Sequence, residues 1–354
     1  VTEKHEKTST STFTIDGPVE LESGAILSSL EIAYTAVGNL SPARDNVVWI
    51  CHPLTGNADP SEWWPGLVGR GKLFDPVKHY IVCANMLGSC YGSSGPASIN
   101  PETDRRFGLS FPLVTVRDTA QAFAALRRHL KLPSIAVCIG GSMGGQLALE
   151  WSIMEPDVIR QSIILAANAT FSPWGKAYNA AQRMAIEADL GWCDSEARSG
   201  WVGLSAARAI AMISYRSYAA FESGQADPAR LGCEPRSSTY LKHQGHKLAE
   251  RFDVCSYWLL TKVMDNHDVG RQRGGISKVL ASITARTLVM GITSDTLFPV
   301  AEQRYLADHI PGARFQTIES PYGHDGFLVE YEQLSKAIGE FIDKHGLHEP
   351  RTTL

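Results

Sequence analysis

The chain has 354 residues, 44% of them hydrophobic and 20% charged, with 33 Lys and Arg set against 37 Asp and Glu. That composition can bury one large core with an insertion, or two ordinary ones. It lacks the basic surplus of a nucleic-acid-binding chain, and no run of 18 apolar residues is available to span a membrane.

The first ten residues, Val1 to Thr10, are polar and charged, without the apolar stretch of a secretory signal. Seven cysteines, Cys51, Cys83, Cys90, Cys138, Cys193, Cys233 and Cys255, are scattered with no C-x-x-C pair. This pattern predicts free thiols in a cytoplasmic protein rather than disulfides or a metal site.

Residues 12–40 read as antiparallel strands broken at the turn signal Ser23-Gly24. Compact apolar runs follow at 47–51, 80–84, 135–139, 162–166 and 287–290, the pattern of strands covered on both faces. Helical stretches alternate with them at 116–130, 146–154 and 301–309. The first carries Val116, Ala120, Phe123, Leu126 and Leu130 at close to helical period. This alternation predicts an α/β fold with a mostly parallel sheet. Between 173 and 272 the strand signal disappears. Stretches 177–190, 204–214 and 240–264 look helical, with a polar joint at 224–228. The expected organisation is a core in two parts, 1–172 and 273–354, with a helical block, 173–272, inserted over the sheet.

The segment Gly140-Gly141-Ser142-Met143-Gly144-Gly145 follows the apolar Ala136-Val137-Cys138-Ile139 and precedes the helical Leu147-Ala148-Leu149-Glu150-Trp151. Strand, G-x-S-x-G and helix in that order make a nucleophile elbow. The serine sits on a strained turn, and small residues two before and two after it let the chain pass close to itself. The N-terminus of the following helix favours developing negative charge.

A serine needs a base, and the base an orienting acid; around such an elbow the chain order is Ser, acid, His. Asp295 ends the strand-like 289–295, and His324 follows the candidate strand 314–318. Both fall at strand C-terminal ends, where sites on open α/β sheets collect. His243, His246 and His267 are placed on the surface or joints of the insertion. His52 follows a strand directly but precedes the serine, and is read as shaping the loop beside the site. The oxyanion of an acyl transfer needs two N–H donors. Met143 follows the nucleophile, and Leu54 lies in His52-Pro53-Leu54-Thr55-Gly56, where Pro53 has no N–H to give.

His52-Pro53-Leu54-Thr55-Gly56 is followed by Glu62-Trp63-Trp64, by the glycine-rich 85–96, and by Ile99-Asn100-Pro101. Then come Phe111-Pro112, Thr115-Val116-Arg117-Asp118, the serine elbow, Ser294-Asp295-Thr296-Leu297-Phe298-Pro299 and Ser320-Pro321-Tyr322-Gly323-His324-Asp325. Together, over residues 20–345, these segments resemble the homoserine O-acetyltransferase family.

The resemblance implies an α/β-hydrolase fold in which the helical block is a lid that also forms a homodimer. It implies an acyl-CoA-dependent enzyme of methionine biosynthesis. Ser142 would take an acetyl group from acetyl-CoA and pass it, by a ping-pong route, to the hydroxyl of L-homoserine. Arg208 would bind the acceptor carboxylate through its planar fork. Tyr215, two helical turns on, shares that face, and Asp325 would bind the acceptor ammonium. Acetyl-CoA is then a co-substrate, and no cofactor or metal is expected. The histidines lack H-E-x-x-H spacing, and Gly88, Gly92 and Gly95 lack the Lys-Ser/Thr ending of a P-loop. Neither nucleic acid nor membrane is expected as a partner. Tyr91 and Gln146-Leu147 depart from the commoner bacterial form of the family, which leaves a succinyl donor open. Serine or deacetylcephalosporin C as acceptor, a plain esterase and a noncatalytic binding relative are the alternatives.

Overall fold

Eight strands form one sheet in the order β1-β2-β4-β3-β7-β8-β9-β10. They are β1 (Ser11–Glu20), β2 (Ile26–Val37), β3 (Val47–Cys51), β4 (Tyr80–Ala84), β7 (Ile135–Gly141), β8 (Ile159–Leu165), β9 (Arg286–Ile292) and β10 (Arg314–Ile318). The short strands β5 (Ile99–Asn100) and β6 (Arg105–Arg106) pair separately. The computed structural model describes residues 9–192, 199–227 and 232–345; Cys193 and Pro228 lie outside them. β1 and β2 are antiparallel to each other, and β2 is antiparallel to β4; every other pairing in the sheet is parallel. This is an α/β-hydrolase fold, as the motifs implied.

Successive side chains of a strand point to opposite faces, and β3 shows the consequence. Trp49 enters one apolar layer against Phe123 and Trp151, its ring centroid 4.8 Å from that of Trp151 at 89°. Val48 and Ile50 enter the other layer, with Trp64, Phe74 and Phe341. Truncating a fully buried Trp such as Trp49 to Ala costs about 3–5 kcal/mol.

The helices preceding the insertion are α1 (Pro60–Trp63), α2 (Val116–His129) and α3 (Met143–Met154). Thr115 and Asp118 close a capping box on α2. Helix α3 starts directly after Ser142, three residues earlier than its apolar pattern suggests. Gly144 and Gly145 lie in its first turn, and packing overrides their poor helical propensity.

Between β8 and β9 come α4 (Pro173–Glu187), α5 (Trp201–Tyr215), α6 (Tyr218–Gln225), α7 (Arg236–Ala249) and α8 (Val254–Asp265). The sequence read 240–264 as one helix, but the chain turns a corner at 250–253. Asp253 takes an extended conformation and caps α8, its side chain accepting from Ser256 N at 2.8 Å. Phe252, at the corner, is buried. Helix α6 escaped the sequence pattern because it buries no residue and so shows no apolar stripe. Apolar residues of the block, among them Leu204, Leu248 and Tyr257, join the same core layer as Trp49.

The chain enters and leaves this block through a paired neck. Phe171 N–H donates to His267 O at 3.1 Å, and Val269 N–H to Ala169 O at 2.9 Å. His267 lies at a joint of the insertion, one of the two places expected of it, and is buried there, its Nε2 3.0 Å from Asn168 O. Just beyond it, Arg271 pairs with Glu22 at 2.9 Å and Arg273 with Glu150 at 2.6 Å. Arg117 bridges the two carboxylates at 2.5 and 3.0 Å. The return from the insertion is thus clamped to the β1–β2 turn and to α3.

The remaining helices are α9 (Ile276–Leu280), α10 (Val300–His309), α11 (Gly326–Val329) and α12 (Tyr331–His345). No helix among the described residues is long and apolar enough to cross a membrane. Strand register fixes where the site forms. Cys51 pairs with Gly140, Gly141 with Leu165, Leu165 with Met290, and Ile318 with Ile292. The C-terminal ends of β3, β7, β9 and β10 therefore share one edge of the sheet, and the loops that follow them converge.

Candidate active site

Ser142 leaves β7 with φ 57° and ψ −128°, in the left-handed half of backbone space that a non-glycine residue enters only when its surroundings impose it. Two backbone bonds impose it: Ser142 N–H donates to Leu165 O, and Gln146 N–H to Ser142 O, each at 3.0 Å. The flanking glycines answer to close backbone contact. A Cβ on Gly140 would overlap Gly144 O, and one on Gly144 would overlap Cys51 O. The elbow is thus pressed against the end of β3, where the His52–Gly56 loop begins.

His324 Nδ1 lies 2.6 Å from Asp295 Oδ2. The other carboxylate oxygen accepts the N–H groups of Leu297 and Phe298 at 2.8 and 2.9 Å, so the acid is held by backbone while it orients the ring. Phe298 stacks on the imidazole at 5.0 Å and Phe327 meets it edge-on at 5.2 Å. His324 Nε2 is buried without a hydrogen-bond partner among the described residues. The acid and base loops are tied together by Ser294, whose hydroxyl donates to Ser320 O at 2.6 Å and accepts from Gly323 N at 2.9 Å.

His52 is fully buried, and burial lowers its pKa to about 4. Its Nε2 accepts from Met86 N–H at 3.0 Å, so its proton sits on Nδ1, which donates to Pro53 O at 2.8 Å. Gly56 N–H donates to the same carbonyl at 2.8 Å. Pro53 C=O and Leu54 N–H belong to one planar trans peptide and point in opposite directions. Holding the carbonyl inward therefore aims Leu54 N–H outward. His52 shapes the loop, as its position in the sequence suggested.

Pro53, Leu54, Ser142, Arg208, Tyr215, His324 and Asp325 line one cavity of about 60 Å³. Met143 and Asp295 do not line it, but Met143 follows Ser142 in the chain and Asp295 is hydrogen-bonded to His324. Every site residue named from the sequence is thus brought to one place. The Arg208 guanidinium lies 5.2 Å from the centre of the Tyr215 ring, which fits their shared helix face. Tyr215 is hydrogen-bonded to Tyr257, and burial raises its pKa. The Tyr257 hydroxyl donates onward to Gln182 Oε1 at 2.5 Å.

Two neighbours were missed. Arg216 Nε lies 3.0 Å from Asp325 Oδ2, an ion pair too bent to count as a hydrogen bond. Burial raises the Asp325 pKa, against the pull of Arg216, Arg208 and His324. Glu302, on α10, accepts from Asn168 Nδ2 at 2.9 Å, and Asn168 Oδ1 accepts from Gln146 Nε2 at 2.9 Å. Burial, with some repulsion from Asp295, pushes the Glu302 carboxyl up to about 7. Only the adjacency of Arg216 to Tyr215 could have drawn notice to the first, and no motif marks the second.

Residues 46–331 match the family model for the alpha/beta hydrolase fold. A homoserine O-acetyltransferase from Cyclobacterium marinum is 46% identical over 323 residues, 91% of this chain and 92% of that protein. The chain belongs to the homoserine O-acetyltransferase family. The match spans core and helical insertion alike, so family membership rests on the whole chain rather than on the elbow. The crystal structure of a homoserine O-acetyltransferase from Bacillus anthracis superposes with a TM-score of 0.89, at 20% identity, covering 98% of this chain and 99% of that one. Esterase E22 superposes at 0.86, with 21% identity and 95% and 100% coverage. At those identities the likeness is one of fold. An esterase and a transferase sharing it means that the fold alone does not choose the acceptor.

Proposed function

We propose that the protein transfers an acetyl group from acetyl-CoA to the hydroxyl of L-homoserine through an acyl-enzyme on Ser142, in methionine biosynthesis. The observation that carries this reading is one cavity holding two sets of groups. An elbow serine lies beside a bare imidazole nitrogen, and a guanidinium and a carboxylate stand ready for the two ends of an amino acid.

In the first half-reaction Ser142 Oγ attacks the thioester carbonyl and gives its proton to His324 Nε2. Asp295 holds the ring and offsets its positive charge. The tetrahedral oxyanion is met by Leu54 and Met143 N–H. Collapse breaks the C–S bond, and the CoA sulfur leaves with the proton from His324. In the second half-reaction the homoserine hydroxyl gives its proton to His324 and attacks the acetyl carbon. The new ester leaves as Ser142 recovers the proton. Arg208 binds the acceptor carboxylate, with Tyr215 backing its guanidinium. Asp325 Oδ1, on the oxygen not turned to Arg216, takes the ammonium. The chemistry calls for no metal or cofactor.

The lid is proposed as the homodimer interface: Val202 is 74% exposed and borders an apolar groove with Trp201 and Leu241. A cytoplasmic location accords with the six described cysteines, all free thiols.

Thiol release from acetyl-CoA and from succinyl-CoA, each with and without L-homoserine, tests the reading beside a Ser142→Ala control. Homoserine-dependent release from acetyl-CoA that the variant loses is the expected result. Release from succinyl-CoA alone overturns the acyl group. Release indifferent to homoserine overturns the acceptor and favours an esterase.

A further inference from the structure

The corner between α7 and α8 reaches back to the loop that carries Leu54. Arg251 Nη1 donates to Thr55 O at 2.9 Å and to the Tyr91 hydroxyl at 2.5 Å. Tyr91 Oη in turn donates to Arg251 O at 3.3 Å, so the tyrosine is clasped by both the side chain and the backbone of one residue. Next to it, Phe252 is buried edge-on to Tyr91 at 5.6 Å and edge-on to Tyr257 at 6.1 Å. Asp253, which caps α8, also pairs with Arg106 at 2.5 Å. The corner is therefore seated on three pieces of the core: the His52–Gly56 loop, the glycine-rich 85–96, and Arg106 of β6.

The two ends of the His52–Gly56 loop are held differently. On the core side, His52 and Gly56 fix Pro53 O. On the outer side, the Thr55 carbonyl accepts from Arg251, which the insertion supplies. Leu54 lies between these two anchors.

We propose that Arg251 is a positioning residue that makes the oxyanion loop part of the lid. With the corner seated the Thr55 carbonyl is held as well, so that the Pro53–Leu54 peptide, oriented by His52 and Gly56 from the core side, is braced from the outer side too. The inference rests on Ser142 being the nucleophile and Leu54 an oxyanion donor. It ties acylation to lid seating: a lifted lid leaves Ser142 in place with half of its anion site loosened, so the serine does not react before water is shut out.

The test is the rate at which an aryl phosphonate derivatises Ser142, a reaction that builds a charged oxygen at the same donors and needs neither CoA nor acceptor. It is read beside kcat, KM for L-homoserine and thermal melting in Arg251→Met, Arg251→Lys and Tyr91→Phe. Arg251→Met is expected to lower phosphonylation and kcat together by about tenfold. KM for homoserine should stay within about twofold and Tm within a few degrees. Arg251→Lys, which can still reach Thr55 O, should recover part of the loss. Tyr91→Phe, which keeps the Thr55 contact, should lose less than Arg251→Met. Unchanged phosphonylation in a folded Arg251→Met protein overturns the proposal, and so does a loss confined to KM for homoserine. A wild-type protein that resists the phosphonate overturns the nucleophile itself. Phosphonylation that behaves as expected in a protein inert toward acyl-CoA leaves the positioning role standing and removes the transferase reading.

Discussion

The sheet-edge half and the lid half of the site are held in place by different means. Ser142, Asp295 and His324 stand where the register of β3, β7, β9 and β10 puts them, each braced by backbone hydrogen bonds or by its partner. Arg208 and Tyr215 come from the middle and the end of one helix laid across that edge, and Arg216 caps it, with positions set by ring contacts, a tyrosine pair and an ion pair. One half is specified by the ladder of the sheet, the other by docking. Under the proposed reaction, damage to the first half should stop both half-reactions, and damage to Arg208, Tyr215 or Arg216 should spare acylation.

The largest effect belongs to Ser142→Ala, expected to lower kcat by roughly 10⁶-fold and to abolish acyl-enzyme formation in rapid-quench mass spectrometry. Its Tm should change little, because alanine inherits the same strained backbone and keeps the two backbone hydrogen bonds that brace it. A variant that still accumulated acyl-enzyme would break the comparison at its root. Next comes Asp295→Asn, which leaves the ring in place but disturbs its tautomer; a loss of about 10⁴-fold in both half-reactions is expected. Arg208→Met should raise KM for the amino-acid acceptor by about 10- to 100-fold, the worth of a lost charge-assisted pair. The burst of thiol from acetyl-CoA without acceptor should persist. Equal loss of the burst would mean that α5 helps build the first half as well.

The smallest effect is at Glu302. Its carboxyl is raised from an ordinary 4.5 to about 7. As pH rises past 4.5 the unfolded chain gives up this proton before the folded one does, so the group costs stability progressively up to about pH 7. Glu302→Gln should therefore gain Tm over the wild type, and the gain should grow between pH 5 and pH 8. His52 and His267, both lowered to about 4, work the other way. Their contribution is present above pH 6.5 and lost as the solution is acidified toward 4. It cancels in the difference between variant and wild type. A gain that shrank as pH rose would place the raised carboxyl elsewhere.

The two halves were also unequally legible in the sequence. Strands buried on both faces announce themselves by composition, and the elbow by a steric demand for small residues at fixed spacing, so Ser142, Asp295 and His324 were found from pattern and chain order. Arg208 emerged only through family resemblance, since a helical arginine by itself reads as solvated. The break at 250–253 was hidden because Leu248, Phe252 and Val254 keep an apolar rhythm across it, and the capping role of Asp253 depends on a turn no periodicity encodes. Glu302 meets Asn168 across 134 residues of chain, a contact that exists only once the sheet has formed. For His52 the place was readable, but the proton position was not, because it depends on Met86 N–H arriving from another loop.

The paired neck at Ala169–Phe171 and His267–Val269 bears on how such a protein can change over generations. Entry and exit of the insertion lie side by side, so to the rest of the chain the whole block is one closed side loop. The entropy of closing a loop grows only slowly with its length, by about 0.6 kcal/mol per doubling for a flexible one. Residues added to or removed from the block away from the neck and the 250–253 corner thus transmit little to the strand ends. Under the proposed reaction, acceptor preference can drift as a cassette while the machinery that cleaves the acyl donor is inherited unchanged.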